Sequence, residues 1–447
     1  MAPEITVETE SELERTLGLG AALGIGIGTM IGAGIFVFPG IAAGRAGLAA
    51  TVSFGIGALI ALLVALPASE LATAMPKSGG GYYFISRGFG TLPGCVVGIS
   101  LWIGLVFASA FYLVGFGEYA AALLGAGGGG TVVTAIALAG AVLLTAVNIG
   151  GTEKAGELQN VIVALLLSIL VAFLSYGMLD SLGVIGAPSP PERFIPYGIA
   201  PVFTTAALVF TSYLGFVQVA TVAGDIRDPG RNLPIAMVGS VLVVGVLYVT
   251  MIYVSTSAFG SARLAELGET APVEVARSYV GIAGALAILV AGLLATVSSA
   301  NASILSASRA IYALSSDALL PGEAGTLNRR YNTPHVAVLL ASGPIALLVL
   351  TGRVEVLAEV ASFLHLVMYG LICVTLVQLR RTDPDWYDPD FRAPGSPVLP
   401  LVGAAASFGL IAFMAPLSQV VGLLVLLGAA GWYLAYGRDV RLKGAHD

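Results

Sequence analysis

The chemistry this sequence offers is concentrated where two apolar stretches break. One reads Gly28-Thr29-Met30-Ile31-Gly32-Ala33-Gly34-Ile35-Phe36, the other Phe210-Thr211-Ser212-Tyr213-Leu214-Gly215-Phe216. An unwound turn inside a helix leaves N–H groups unpaired on one side and carbonyls on the other. In hydrocarbon those groups need partners, so such a turn persists only where it lines a cavity. Free N–H groups at the start of a half-helix suit a carboxylate. Free carbonyls suit an ammonium or a metal cation. An α-amino acid presents a carboxylate and an ammonium side by side. The competing reading of the first stretch is close helix packing, since Gly28 and Gly32 form a G-x-x-x-G face.

Ionisable side chains inside apolar stretches are the second source of chemistry, because a charge within a membrane is costly. Glu70 stands at the exit of one stretch and reads as a packing or gating carboxylate. Glu118 and Glu359 lie toward the outer ends of theirs. For both the plain role is snorkelling to the interface; for Glu118 the sharper one is attraction of a cationic substrate side chain. His365, midway along its stretch, either donates to a nearby carbonyl as a neutral ring or carries a proton. Trp102, Phe107, Phe111 and Tyr112 recur at helical spacing and read as core that in part lines a pocket. Cys95 and Cys373 read as buried thiols. The sequence has no Cys/His metal spacing and no phosphate-binding loop, so catalysis and direct ATP coupling have no motif behind them.

The elements that position these residues follow from composition. The 447 residues are 57% hydrophobic and 10% charged, against about a quarter charged in a soluble domain. That excludes a soluble enzyme, a disordered chain and a disulfide scaffold. The net charge of −6, without a basic block, gives nucleic acid no electrostatic grip. Twelve apolar segments fall at 17–43, 47–71, 92–124, 132–150, 157–179, 200–223, 233–259, 280–314, 335–351, 355–379, 398–415 and 418–436. Most are long enough for a span of about 20 residues. Residues 1–16 carry Glu4, Glu8, Glu10, Glu12 and Glu14 and read as a short acidic cytoplasmic tail rather than a signal peptide. With that end inside, only Arg45, Arg193, Arg263, Arg277 and Arg353 fall outside, and the other fifteen Lys and Arg lie at or near the inside. This obeys the positive-inside rule and places both termini in the cytoplasm. The two interrupted segments open runs of five, 1–5 and 6–10. Five is odd, so the second run is inverted, and matching breaks in two inverted halves point to a midplane binding site of a secondary transporter.

Four motifs in series carry a family resemblance. Arg15-Thr16-Leu17-Gly18 through the first break resembles the first span of the amino acid–polyamine–organocation (APC) superfamily. Glu70-Leu71-Ala72-Thr73-Ala74-Met75-Pro76-Lys77-Ser78-Gly79-Gly80-Gly81-Tyr82 resembles its second-span exit and the loop that follows. Phe210 to Phe216 with Asp225-Ile226-Arg227-Asp228-Pro229-Gly230-Arg231-Asn232-Leu233-Pro234 resembles its sixth span and exit. Ser308-Arg309 to Asp317, then Leu320-Pro321, resembles the end of its eighth.

The resemblance implies an all-α integral membrane protein with the LeuT-like fold of about twelve transmembrane helices. Residues 17–179 and 200–379 would be the two five-helix repeats, joined by an extracellular loop at 180–199. Residues 380–437 would add a loop and two further helices, between cytoplasmic tails at 1–16 and 438–447. It also implies amino acid transport by alternating access. By resemblance and by the helix-end argument, the N–H groups of Gly32, Ala33 and Gly34 hold the substrate carboxylate, and the carbonyls of Thr211, Ser212 and Leu214 its ammonium. Phe210 or Tyr213 closes over the ligand, and Arg15 pairs with Asp317 at the inner side.

Many members carry a lysine in the fifth span where relatives bind sodium; here the matching position falls near Leu166. Ala295-Thr296-Val297-Ser298-Ser299 is similar to a pattern in sodium-coupled relatives. Spacings of three and four put Ala295, Ser298 and Ser299 on one face. Two hydroxyls with the carbonyls of Ala295, Gly28 and Ile31 would make five neutral oxygens for a sodium ion. The alternative is a small-residue packing stripe continued by Ala302 and Ser306. No other cofactor is expected. Neither break carries a charged side chain, so neutral amino acids are the expected cargo. The alternatives are a cationic amino acid or polyamine permease served by Glu118, proton coupling through His365, ion-independent exchange, or an amino-acid-sensing receptor. Oligomeric state is left open.

Overall fold

The computed structural model describes residues 17–75, 80–125, 130–150, 155–185, 193–328, 333–438 and 440, without the side chains of 155–160, 221, 222, 224 and 225. Among the described residues every regular element is helical, and the only β-type pairing is the bridge between Leu17 and Ile226. Among those residues eight stretches are long and apolar enough to cross a membrane, and three shorter apolar helices accompany them. A helix satisfies its own backbone, which is why a chain this apolar folds as helices. Hydroxyls obey the same constraint locally. Ser69, Ser109 and Thr296 donate one turn back to Ala65, Leu105 and Gly292 at 2.6, 2.8 and 2.8 Å.

The first span is two half-helices, α1 (Leu19–Met30) and α2 (Gly34–Ala46). Then come α3 (Ala50–Ala74), α4 (Gly80–Phe89), α5 (Thr91–Leu123), α6 (Gly130–Gly150) and α7 (Ala155–Ser181). The sixth span joins α8 (Ala200–Val209) to a tighter 3-10 stretch, Phe210–Asp225. It is followed by α9 (Pro229–Leu267), α10 (Ala271–Ser316), α11 (His335–Val349), α12 (Val354–Thr382), α13 (Val398–Ile411) and α14 (Pro416–Trp432). Two boundaries expected at 259 and 280 are kinks within α9 and α10, at Gly260 (φ 75°) and at Val280 with Gly281 (φ 66°). The expected loop after Met75 is corrected in part: from Gly80 it is helix. Gly81 lets α4 approach Met368 and Ile372 of α12, where a Cβ would sit 2.6 Å from Met368 Sδ.

The helices interlock as two related sets. α1 and α2 pack on the sixth span, α3 on α9, α5 on α10 and α6 on α11. The remaining pair follows the same exchange: α7 touches α1, α9 and α10, while α12 touches the sixth span, α3 and α5. Two copies of a five-span unit give this pattern, and an odd span count inverts the second copy. α13 and α14 lie against α12, α3 and α5.

Two buried carboxylates fasten the periphery. Glu70 is fully buried and accepts from Arg380 Nε at 2.8 Å, from a second Arg380 nitrogen, from the Tyr387 hydroxyl at 2.8 Å and from the Ala393 N–H at 2.6 Å. It thus ties α3 to the end of α12 and the segment beyond. Burial, and then the Glu70 charge, push the Tyr387 hydroxyl well above the usual phenol range. Glu359 is not a snorkelling residue. It is buried and accepts the Ala415 N–H at 3.0 Å, at the start of α14, where the helix dipole favours an anion.

Candidate substrate site

The first break is built from backbone. The Ile31 N–H completes α1 by donating to the Ile27 carbonyl at 2.8 Å, and the Gly32 N–H turns back to the Met30 carbonyl at 2.9 Å. α2 restarts with the Ala33 carbonyl accepting from the N–H groups of Phe36 and Val37, at 3.0 and 2.7 Å. Of the three N–H groups expected to stand open, Gly32's is therefore engaged. Those of Ala33 and Gly34 meet no backbone carbonyl among the described residues. They open a half-helix, where the dipole's positive end favours an anion.

The second break is a tightened coil rather than an unwound turn. A 3-10 run of this length is unusual and marks a hinge, because its hydrogen bonds are poorer than α-helical ones. α12 braces it at two points. The Thr211 hydroxyl donates to the Ala358 carbonyl at 2.7 Å and accepts from the Ser362 hydroxyl at 3.0 Å, and the Tyr369 hydroxyl donates to the Leu214 carbonyl at 2.6 Å. The expectation of a free Leu214 carbonyl is thus corrected: it accepts from Tyr369 in addition to the N–H that a 3-10 run brings to each of its carbonyls. The two breaks cross at Gly215. A Cβ there would sit 2.5 Å from the Thr29 carbonyl carbon and 2.7 Å from Met30 N, and the Thr29 hydroxyl reaches the Gly215 carbonyl at 3.0 Å. Only glycine permits that approach.

Two buried serine hydroxyls face the first break without a hydrogen bond of ordinary geometry, Ser212 Oγ and Ser299 Oγ. Ser212 lies against Gly34, beside the Tyr248 hydroxyl, whose own proton goes to the Met30 carbonyl at 3.0 Å. Ser299 lies against Gly32, where a Cβ would stand 2.5 Å from its Oγ and 3.1 Å from Tyr112 Cε1. Thr211, Ser212, Ser299, Met30, Ile31 and Ala33 are all buried. An unsatisfied buried hydroxyl is destabilising by about 1–3 kcal/mol, so these two, side by side at one break, are available to a polar ligand.

The remaining expected site residues divide. α10 keeps helical dihedrals from 282 onward, so the Ala295 carbonyl faces its own helix and is not freed as expected. Ser298 already has a partner, which leaves Ser299 as the unpaired hydroxyl of that pair. The carbonyls of Gly28 and Ile31 flank the first break. Tyr213 is packed in a niche at Gly57 with its hydroxyl on the Phe54 carbonyl at 2.9 Å, and Phe210 lies tilted against Tyr213 and edge-on to Tyr369. Arg15 lies outside the described residues. Asp317 has other partners: the Tyr82 hydroxyl donates to it at 2.5 Å, and Arg87 lies 3.5 Å away over the Tyr83 ring. Burial, and then the Asp317 hydrogen bond, hold the Tyr82 hydroxyl protonated well above the usual phenol range. At the opposite end the Tyr119 hydroxyl donates to the Phe36 carbonyl at 2.9 Å, and Gly40 abuts the Leu264 carbonyl. The residues of both breaks are buried from solvent. Glu118 is half-buried in the turn of α5 that carries Tyr119, near Glu269. His365 is buried on the α12 face that braces the second break.

Sequence reasoning missed Tyr248 and Tyr369. The signal was present: a tyrosine inside a span must give its hydroxyl a partner, and an exposed backbone carbonyl is the nearest one.

Half-helix ends, a crossing glycine and unpaired hydroxyls are the features of a small-zwitterion site, and residues 17–429 match the family model described as amino acid permease. The chain belongs to that family. It is a multi-pass membrane transporter of the APC superfamily and not an enzyme. It is similar to the branched-chain amino acid permease of Bacillus subtilis, at 29% identity over 96% of this chain and 94% of that one. The methylthioribose transporter of the same organism is 29% identical over 95% and 93%. Its serine/threonine exchanger is 24% identical over 97% and 98%.

Proposed function

We propose that this permease carries neutral α-amino acids across the cytoplasmic membrane by alternating access, with both termini in the cytoplasm. The observation that supports this best is the pair of unpaired hydroxyls, Ser212 Oγ and Ser299 Oγ, beside Gly34 and Gly32. The ligand's carboxylate sits at the N–H groups of Ala33 and Gly34. Its ammonium sits against the carbonyls of Thr211 and Ser212, beside the Leu214 carbonyl that Tyr369 holds. No charged side chain stands at either break, so a cationic side chain would be desolvated without a partner, at a cost of several kcal/mol. The contacts of Tyr82 with Asp317 and of Tyr119 with Phe36, toward opposite ends, suit a cycle in which one end opens at a time. The test is uptake of labelled alanine into proteoliposomes with excess arginine as competitor. Saturable uptake indifferent to arginine is expected. Full competition by arginine, lost in Glu118→Gln, would make this a cationic amino acid permease, and binding without flux would make it a receptor.

Sodium coupling is a second part of the proposal, supported by Ser299 Oγ facing the break whose carbonyls are Gly28 and Ile31. Neutral oxygens suit a hard monovalent cation. Replacing sodium by choline at fixed pH should then abolish uptake, and Ser299→Ala should raise the sodium requirement. Uptake indifferent to both changes removes the ion from the mechanism and leaves exchange.

A further inference from the structure

A histidine stands between the two braces that tie α12 to the sixth span. The braces are Ala358 with Ser362 on Thr211, and Tyr369 on Leu214. His365 lies three residues after Ser362 and four before Tyr369, which puts all three on one helix face. Its ring stands edge-on to Tyr369 with centroids 6.1 Å apart. Its other side meets α5, where a Cβ on Gly104 would lie 3.0 Å from both Cε1 and Nδ1. The imidazole is therefore level with the break, between α5, α12 and the sixth span, and only 3% exposed.

Its tautomer is set by the backbone. Nδ1 lies 2.8 Å from the Ala361 carbonyl. A carbonyl only accepts, so Nδ1 carries the proton and Nε2 presents a lone pair. The hydroxyls that frame it direct their single protons elsewhere: Thr211 to Ala358, Ser362 to Thr211, Tyr369 to Leu214. None of those three protons goes to Nε2, so its lone pair is open to a donor that none of these hydroxyls supplies.

We propose that His365 Nε2 accepts a hydrogen bond from a side-chain hydroxyl of the substrate, so that the permease selects serine and threonine over aliphatic amino acids of equal size. This rests on the reading that neutral amino acids bind at the breaks. Threonine and valine are the decisive pair, since they differ by a hydroxyl in place of a methyl. Valine would leave Nε2 unpaired and dry, and a site built around a hydroxyl discriminates against its hydrocarbon isostere.

The test is calorimetric titration of purified full-length protein with L-alanine, L-threonine and L-valine. Wild type should bind threonine roughly tenfold or more tighter than valine. His365→Leu should bring that ratio near one by raising valine affinity relative to threonine. His365→Gln keeps an acceptor and should keep the preference, which decides the matter if the leucine variant is unstable. Equal or better valine binding by wild type overturns the proposal, as does a threonine preference that persists in His365→Leu. Failure of wild type to bind alanine at all would instead remove the neutral amino acid reading beneath it.

Discussion

A single methyl group on Gly34 should reveal how closely the two breaks meet. A Cβ there overlaps Ser212 Oγ and lies 3.0 Å from Ser212 Cβ and 3.2 Å from the Tyr248 hydroxyl oxygen. Rotating the serine relieves only the first contact, because its Cβ is fixed by backbone. Tyr248 is held by its bond to the Met30 carbonyl. Overpacking of this kind costs about 1–3 kcal/mol. If the strain falls on the closed, ligand-holding state, affinity for alanine drops by about 5- to 150-fold in Gly34→Ala. Gly34→Val, with a branched side chain in the same space, should abolish binding. Ser212→Gly removes both Oγ and Cβ and leaves the Tyr248 oxygen as the nearest neighbour. The double variant should therefore bind within about threefold of Ser212→Gly alone, a compensation that independent sites do not show. Calorimetry with alanine reads the affinities, and a symmetric gel-filtration peak with a wild-type-like thermal midpoint in detergent shows that each variant is folded. Wild-type affinity in Gly34→Ala, or additive losses in the double variant, would refute the close approach and the site built on it.

Glu70→Gln strands the Arg380 guanidinium and should destabilise the protein by about 3–5 kcal/mol, read as a large fall in thermal midpoint in detergent; an unchanged midpoint would show the carboxylate nest to be incidental. Asp317→Asn weakens the contacts to Tyr82 and Arg87. Gly98 packs on Tyr82 and Leu314 one turn from buried Cys95, so in a Cys373→Ser background maleimide labelling of Cys95 should rise several-fold, and unchanged labelling would show that this contact does not close the inner end. Tyr369→Phe leaves the Leu214 carbonyl without its side-chain donor and should loosen the second break. Alanine affinity should fall about 2- to 10-fold, in line with one lost hydrogen bond, and wild-type affinity would show that the brace is not needed to set the carbonyl.

What the sequence determined by itself was the medium, the helices and the places where they break. A chain with one residue in ten charged has no folded form in water, and in lipid the backbone leaves only helices for segments of this length. Glycine at 28, 32 and 34 marked the first break, and the segment bounds expected at 259 and 280 fall beside Gly260 and Gly281, where the structure kinks instead. The structure decided which backbone groups stay open. Gly32's N–H turns back to Met30, Leu214's carbonyl is capped by Tyr369 155 residues away, and Ser212 and Ser299 are left unpaired. It also gave Glu70 an arginine 310 residues away and Asp317 the partners Tyr82 and Arg87. The physical reason lies in the solvent. Lipid is as apolar as the protein interior, so hydrophobic patterning does not say which face of a span meets its neighbour. Facing is fixed by shape at the glycines and by scattered hydroxyls finding distant carbonyls, and those pairings exist only once all the helices are docked.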